Sequence, residues 1–402
     1  MVDDAACESL IVLSDVHLGS DLGAPRGARE KAIDRELARL LDHYRESPPP
    51  RGRWRLVIAG DFIDFIGMVL PLEVAEHLET PPNEEERRHG LGNARDHALA
   101  KMRAVAARHR MVFEALGRFV ANGHALTIIR GNHDLELYWD EVRAELTETI
   151  LRAARRHAPG LDVGEARARI DYSPWFFYRE GVAYIEHGHQ YDTYCATEHL
   201  LAPLAPNDPR RIARGFSDVL LRFVVRQTPG LSEHGHERMG VLDYLRFGVR
   251  LGASGMVALA LRYARAIREL FRLRRAYLRG ATRELRAQHM RAMARFARAT
   301  RVGLGRVREL HRLQVPPITR SFFGILESVL LDRLLLALVC IALLVASAVA
   351  AAFEPALLTG TAGVAAGWIA GQRWLAKRRK VDPADELAAR AHAVASLFRV
   401  PY

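Results

Sequence analysis

Four short apolar runs in the first half of the chain each empty into a cluster of Gly, Asp, Asn and His, and this repetition constrains the fold most. Residues 126–129 are apolar and mostly β-branched, and lead into Gly131-Asn132-His133-Asp134. A run of that length and type forms a buried strand, and Gly131 lets the backbone turn sharply behind it. Residues 9–13 lead in the same way into Asp15-Val16-His17, and residues 55–59 into Gly60-Asp61-Phe62-Ile63-Asp64. Residues 182–185 lead into Glu186-His187-Gly188-His189. In α/β sheets the C-terminal edge of the strands is where ligands bind. Any one cluster could be a loop that satisfies its own polar groups; four in one chain argue for a shared site. A mixed set of carboxylate, amide and imidazole donors suits a divalent first-row metal, and a bridging Asp implies a pair of ions.

The order of these motifs resembles the calcineurin-like metallophosphoesterases, whose pattern runs D-x-H, G-D-x-x-D, G-N-H-D or G-N-H-E, a lone His, and G-H-x-H. The match spans roughly residues 10–192, with three motifs unbroken and His187 in the place of the lone His. The resemblance implies an α/β fold, a two-sheet sandwich flanked by helices. It also implies that Asp15 and His17 bind a first metal, that Asp61 bridges, and that Asn132 and His187 bind a second. His133 would meet the phosphate as general acid or electrostatic stabiliser, with Asp134 orienting its imidazole. Asp64 is a candidate partner for the second nitrogen of a ligating His. The expected cofactor is two divalent ions, manganese first, with iron or zinc next. The expected activity is hydrolysis of a phosphoester or pyrophosphate by metal-activated water.

The chain departs from the pattern at its last motif. Neither His187-Gly188-His189 nor His234-Gly235-His236 carries a second His two places after Gly-His. Residues 384–397 suggest a helix and residues 398–402 the start of a strand, the arrangement that precedes G-H-x-H in the family. The expectation is a chain that stops just before that motif, with weakened metal binding. The alternative is a complete variant that recruits His189 or His236. A distant likeness to UDP-2,3-diacylglucosamine hydrolases rests on His187-Gly188. That branch commonly places Arg where this chain has His133, so its substrate is not carried over.

The net charge of +11 and pI near 9.9 direct attention to anionic partners. Residues 262–320 contain 17 Arg against 3 Glu, with Tyr263, Ile267, Leu270, Leu273 and Tyr277 at helical spacing. A basic amphipathic helix of this kind suits an anionic membrane surface, and nucleic acid is the weaker partner. Residues 334–353 are uncharged for a length that would span a bilayer, and residues 356–371 form a second, weaker apolar run. These predict a transmembrane hairpin with its basic flank inside. The three cysteines, Cys7, Cys195 and Cys340, have no metal or redox spacing. The start of the chain has no secretory pattern, which places the catalytic domain at the cytoplasmic face.

The expected organisation is therefore a catalytic domain over 1–202, a basic helical insert over 203–320, a membrane hairpin over 321–373, and a returning helix and strand over 374–402. Within it, residues 79–92 suggest a mobile loop or lid, 93–121 one long helix, 170–185 a two-stranded hairpin, and 203–209 a linker. The substrate class expected is a phosphorylated molecule, in one form lipid-linked. A non-catalytic protein with a degenerate phosphatase domain, binding membrane or nucleic acid, is the competing expectation.

Overall fold

The computed structural model describes residues 8–22, 28–228, 241–278, 282–328, 359–378 and 383–400, with isolated positions between 340 and 349. Four parallel strands lie side by side in chain order: β1 (Glu8–Leu13), β2 (Arg53–Ala59), β3 (Ala125–Ile129) and β4 (Ile170–Ser173). Parallel strands need long crossovers, and these are helical. They comprise α1 (Ala28–Glu46), α2 (Glu84–His89), α3 (Arg95–Arg108), α4 (Arg110–Ala121), α5 (Asp140–His157) and α6 (Val163–Ala168). The expected single helix over 93–121 is two helices, broken at His109 (φ −103°, ψ 35°). The His109 ring is tied at Nδ1 to Asp34 (2.7 Å) and accepts from the Gly19 amide (3.0 Å), which fixes the loop behind β1.

Side chains along a strand alternate between the two faces of the sheet. Leu56, Ile58, Leu126 and Ile128 face the main core, formed with Leu41, Phe113, Leu116, Phe119 and Leu146 of the helices. Val57, Ala59 and Ile129 face the other way. They are covered by Phe177 and Ile185 of a short antiparallel hairpin, β5 (Phe176–Arg179) and β6 (Ala183–Glu186).

The structure corrects the expected two-sheet sandwich. Among the described residues the second layer is that hairpin alone, and a further two-stranded piece, β7 (Leu204–Ala205) and β8 (Asp208–Ile212), stands apart from it. The physical reason lies on the hairpin's outer side. Phe176 meets Phe296 edge-on at 4.9 Å, and Tyr184 lies 4.3 Å from Phe398, so helices rather than further strands bury it. Residues 170–185 likewise divide differently, because Ile170–Ser173 joins the parallel sheet beside β3.

The expected transmembrane hairpin is also overturned. Among the described residues no helix is long and apolar enough to cross a membrane. Most of residues 334–353, with the Glu354-Pro355 turn, lies outside the described residues. The second run falls in the helix Thr359–Arg378, where Gly360, Gly363, Gly367 and Gly371 add little apolar surface and Arg373 ends the uncharged stretch. That falls short of the roughly 20 apolar residues a span requires.

The basic segment uses its apolar stripe internally. After α7 (Phe216–Leu220) and a π-helical turn (Leu221–Val225) comes α8 (Val241–Leu278), kinked at Gly252 (φ 64°), and then α9 (Thr282–Ala299). Ala266, Leu270 and Leu273 of α8 pack on Phe216, Val219, Ile318 and Ile325. Full burial of one such Leu contributes about 2 kcal/mol.

Residues 79–92 are no open lid. Asn83 caps α2 in a reciprocal box with Glu86, and Glu85 and Glu86 are clasped by three arginines from beyond β7. Arg211 makes a two-pronged contact with Glu86 (2.9 and 2.7 Å), and Arg214 and Arg222 both hold Glu85. The expected linker at 203–209 is the β7–β8 turn that positions Arg211, with Leu204 and Ile212 packed on Leu135.

Removing one partner of a buried ion pair strands the other in a low-dielectric interior. Arg211→Met is predicted to destabilise the protein by about 3 kcal/mol in urea unfolding, and the double variant Glu86→Gln/Arg211→Met to recover much of that loss. Burial raises the Glu85 carboxyl, but the guanidinium charges of Arg214 and Arg222 outweigh it and hold the pKa at about 2 against an ordinary 4.5. A depressed pKa stabilises above the unfolded value and loses that stability as pH falls through the folded one. The stability difference between the natural chain and Glu85→Gln should therefore hold above about pH 5 and shrink steadily toward about pH 2.

Candidate metal centre

The ends of β1, β2 and β3 lie in one row, and three of the residues there adopt a backbone conformation that side chains disfavour. Asp15 (φ 57°), His17 (φ 53°) and Asp61 (φ 52°) are left-handed without being glycine. Each costs on the order of 1–3 kcal/mol, strain that persists where surrounding bonds over-determine it. Those bonds are present. Asp15 N donates to Gly60 O (3.2 Å), His17 N to Asp61 O (2.9 Å), and Leu18 N to Phe62 O (2.9 Å), which laces the first motif to the second.

Asp61 is the shared member of the site. Its carboxylate, almost wholly buried, accepts from the His133 amide at 2.8 Å. Its other oxygen lies 3.3 Å from His187 Nε2 and 3.7 Å from His17 Nε2. Two donor groups converge on it, His17 with His133 and Asp15 with His187, each with all ligand atoms within 4.8 Å of one another. Burial raises the Asp61 carboxyl pKa, yet hydrogen bonding and charge from His187 and His133 hold it well below the usual range. Gly131 permits this approach: a Cβ there would stand 2.1 Å from Asp61 Oδ1.

The imidazoles are oriented for ligation. His187 Nδ1 donates to Ala59 O (2.9 Å), which turns Nε2 toward Asn132 Oδ1 (3.0 Å) and Asp61. An Nε2 facing two oxygens needs a proton or a cation. Burial alone would lower the His187 pKa, but Asp61 reverses this and pushes it up to about 9. A divalent ion satisfies the same two oxygens and the ring nitrogen together, so the donor set fits a metal. His133 Nδ1 lies 2.8 Å from Asp64 Oδ1, and its ring packs edge-on against His17 at 4.5 Å.

Most of the residues expected from the sequence meet here, with some roles altered. Asp15, His17, Asp61, Asn132, His133 and His187 come together. The donor groups join His187 with Asp15, and His133 with His17, to Asp61, and His17 Nε2 also lies 3.8 Å from Asp15 Oδ1. Asp64, not Asp134, is the partner of His133 Nδ1. Asp134 instead spans two backbone amides, Phe62 N (2.9 Å) and Gly131 N (2.6 Å), and so joins the second and third motifs. Burial and the neighbouring Asp61 charge raise its pKa to about 7.

His189 is buried 5.3 Å from the His187 ring, with neither ring nitrogen hydrogen-bonded, and burial drives its pKa down to about 3. It belongs to neither donor group. His236 lies outside the described residues.

Arg226 had no signal in the sequence. It follows the π-helical turn, donates from Nη2 to Ser20 O (3.0 Å), and lies with Asp64 against Gly67, where a Cβ would meet both side chains. Only the folded chain reveals it, because Ser20 lies 206 positions earlier in the sequence.

Compared against protein-family models, curated proteins and solved structures, the chain matches none. The geometry therefore stands on its own.

Gly131→Ala should press a methyl group onto Asp61 and lower affinity for an added divalent metal ion about 10- to 100-fold by calorimetry. Gly160→Ala, where a Cβ meets nothing within 4 Å, should leave it unchanged.

Proposed function

We propose that this chain is a metal-dependent phosphoesterase of the calcineurin-like kind, hydrolysing a phosphoester or pyrophosphate at the row of strand ends. The observation that carries the reading is Asp61, a buried carboxylate common to both donor groups and fixed in a strained backbone. A bridging carboxylate of this kind suits two ions, with manganese the first choice for a His and carboxylate set. Bound there, the ions would supply an activated water and neutralise phosphoryl oxygens during in-line attack.

The chain's own residues have distinct tasks in this scheme. Asp15, His17, Asp61, Asn132 and His187 would hold the ions. His133, held by Asp64 at Nδ1, presents Nε2 to the reacting group, where it stabilises charge or delivers a proton to the leaving oxygen. Asp134 fixes the two turns that carry these groups. The net charge of +11 favours the approach of an anionic substrate.

Hydrolysis of bis-p-nitrophenyl phosphate with added manganese tests the reading, with metal content measured on the same preparation. Asp61→Ala should lose both metal and turnover. His133→Ala should lower kcat by about 10²- to 10⁴-fold. Full turnover in Asp61→Ala would rule the proposal out.

A further inference from the structure

A cleft of about 600 Å³ opens between the start of α5 and the outer face of α9, away from the donor groups just described. Four arginines line it: Arg95, Arg130, Arg143 and Arg295. Two are already neutralised. Arg95 pairs with Glu79 and Glu141, and Arg143 with Asp140. Among the described residues neither Arg130 nor Arg295 has a carboxylate within ion-pair distance.

Arg130 is the unusual one. It is 4% exposed, its Nη2 donates to the carbonyls of Leu200 and Pro174, and its Nε has no partner. Asp134, the acid whose charge it feels, already has both oxygens engaged by Phe62 and Gly131. A buried guanidinium held only by carbonyls keeps a full positive charge in a poorly solvated place. It stacks near the Tyr138 ring, 5.9 Å from the centroid.

The α9 face across the cleft carries Ala292, Arg295, Phe296 and Ala299, spaced as one helical stripe. His289 lies one turn earlier on that stripe. It is 2% exposed, and its Nδ1 accepts from the Leu201 amide (3.2 Å), so its proton sits on Nε2, which has no partner. That tautomer disqualifies Nε2 as a neutral metal ligand and leaves it a donor. The cleft wall thus holds two arginines without a carboxylate partner, beside Asp140 and Glu141, which are paired with Arg143 and Arg95. Trp139, Phe296 and Leu201 supply apolar surface beside them. A guanidinium fork matches phosphate oxygens, and the cleft volume exceeds what a bare phosphate fills.

We infer that this cleft is a binding site for an organic phosphate, its dianion between Arg130 and Arg295 and its organic part against Trp139 and Phe296. The site does not depend on the phosphoesterase reading, because none of these side chains belongs to the metal donor groups.

The test uses the full chain carrying Asp61→Ala, which removes the metal centre, and phenylphosphonate, which cannot be hydrolysed. Calorimetry at low ionic strength should show one equivalent bound, more tightly than inorganic phosphate. Adding Arg295→Glu should weaken binding at least about tenfold, while Arg152→Glu, which lines a separate cleft, should not. Arg130→Met should abolish binding; if that variant fails to fold, Arg295→Glu decides alone. Absence of phenylphosphonate binding to the Asp61→Ala chain, or binding that Arg295→Glu leaves unchanged, would overturn the proposal. Either result is separable from failure of the phosphoesterase reading, which is measured by turnover of the natural chain.

Discussion

The ionised carboxylate of Asp61 sets the terms for everything around it. It is nearly inaccessible to water, and the His133 amide and the imidazoles of His187, His133 and His17 stand against its charge. Its neighbour Asp134 is buried as deeply and responds in the opposite direction, with its pKa raised to about 7. Two carboxyls a few ångströms apart cannot both carry full charge cheaply, and environment decides which one does. Asp61 faces imidazoles; Asp134 faces backbone amides. The split leaves one anion at the strand ends for cations to gather on, and one group whose work is to hold Gly131 and Phe62 in place. It also explains why Gly131 has no side chain: the space it vacates is where Asp61 sits.

Strain at Asp15, His17 and Asp61 follows from the same requirement. Strands β1 and β2 end side by side, and a regular continuation would carry Asp15 and His17 to one face of the sheet and Asp61 to the other. The left-handed residues break that alternation and turn the side chains back to the edge. The paired amide–carbonyl bonds between residues 15–18 and 60–62 hold the distortion. Local backbone energy is thereby exchanged for convergence of ligands, a pattern expected where geometry serves chemistry.

How far the sequence reveals this depends on the range of the interaction. The strand runs at 55–59 and 126–129, and the site residues they deliver, are legible because periodicity and Gly-bounded clusters are local signals. The pairing of His133 with Asp64 is less so: both residues stand out, yet the sequence favours the adjacent Asp134 as partner, and only the fold shows that its oxygens are taken. The sandwich expectation fails because residues 176–186 carry aromatic side chains on both faces, and sequence cannot say whether strands or helices cover the second. Phe296 and Phe398, which do so, lie more than a hundred residues away. The same holds for Arg211 and Arg222, whose acidic partners lie near residue 85 and which appear in the sequence only as members of an arginine-rich region. A basic amphipathic stripe carries no mark of whether it meets lipid or protein; Leu270 and Leu273 meet protein.

The insert is consequently part of the site's support. Arg222 donates to the carbonyls of Gly90 and Leu91 as well as to Glu85. Four residues on, Arg226 reaches Ser20 O beside the first motif and lies against Asp64, whose other oxygen holds His133. Between them Lys101, fully buried, donates to Phe65 O at 2.8 Å, and Phe65 N in turn donates to His133 O. These contacts tie the segment that follows the π-helical turn to the loop behind β1 and place it beside Asp64, the partner of the His133 ring. π-helical turns are rare and gather at functional sites; here the turn sets the register that lets Arg222 and Arg226 reach inward along one side. The loop behind β1 is therefore supported by a residue of the insert as well as by its own motif.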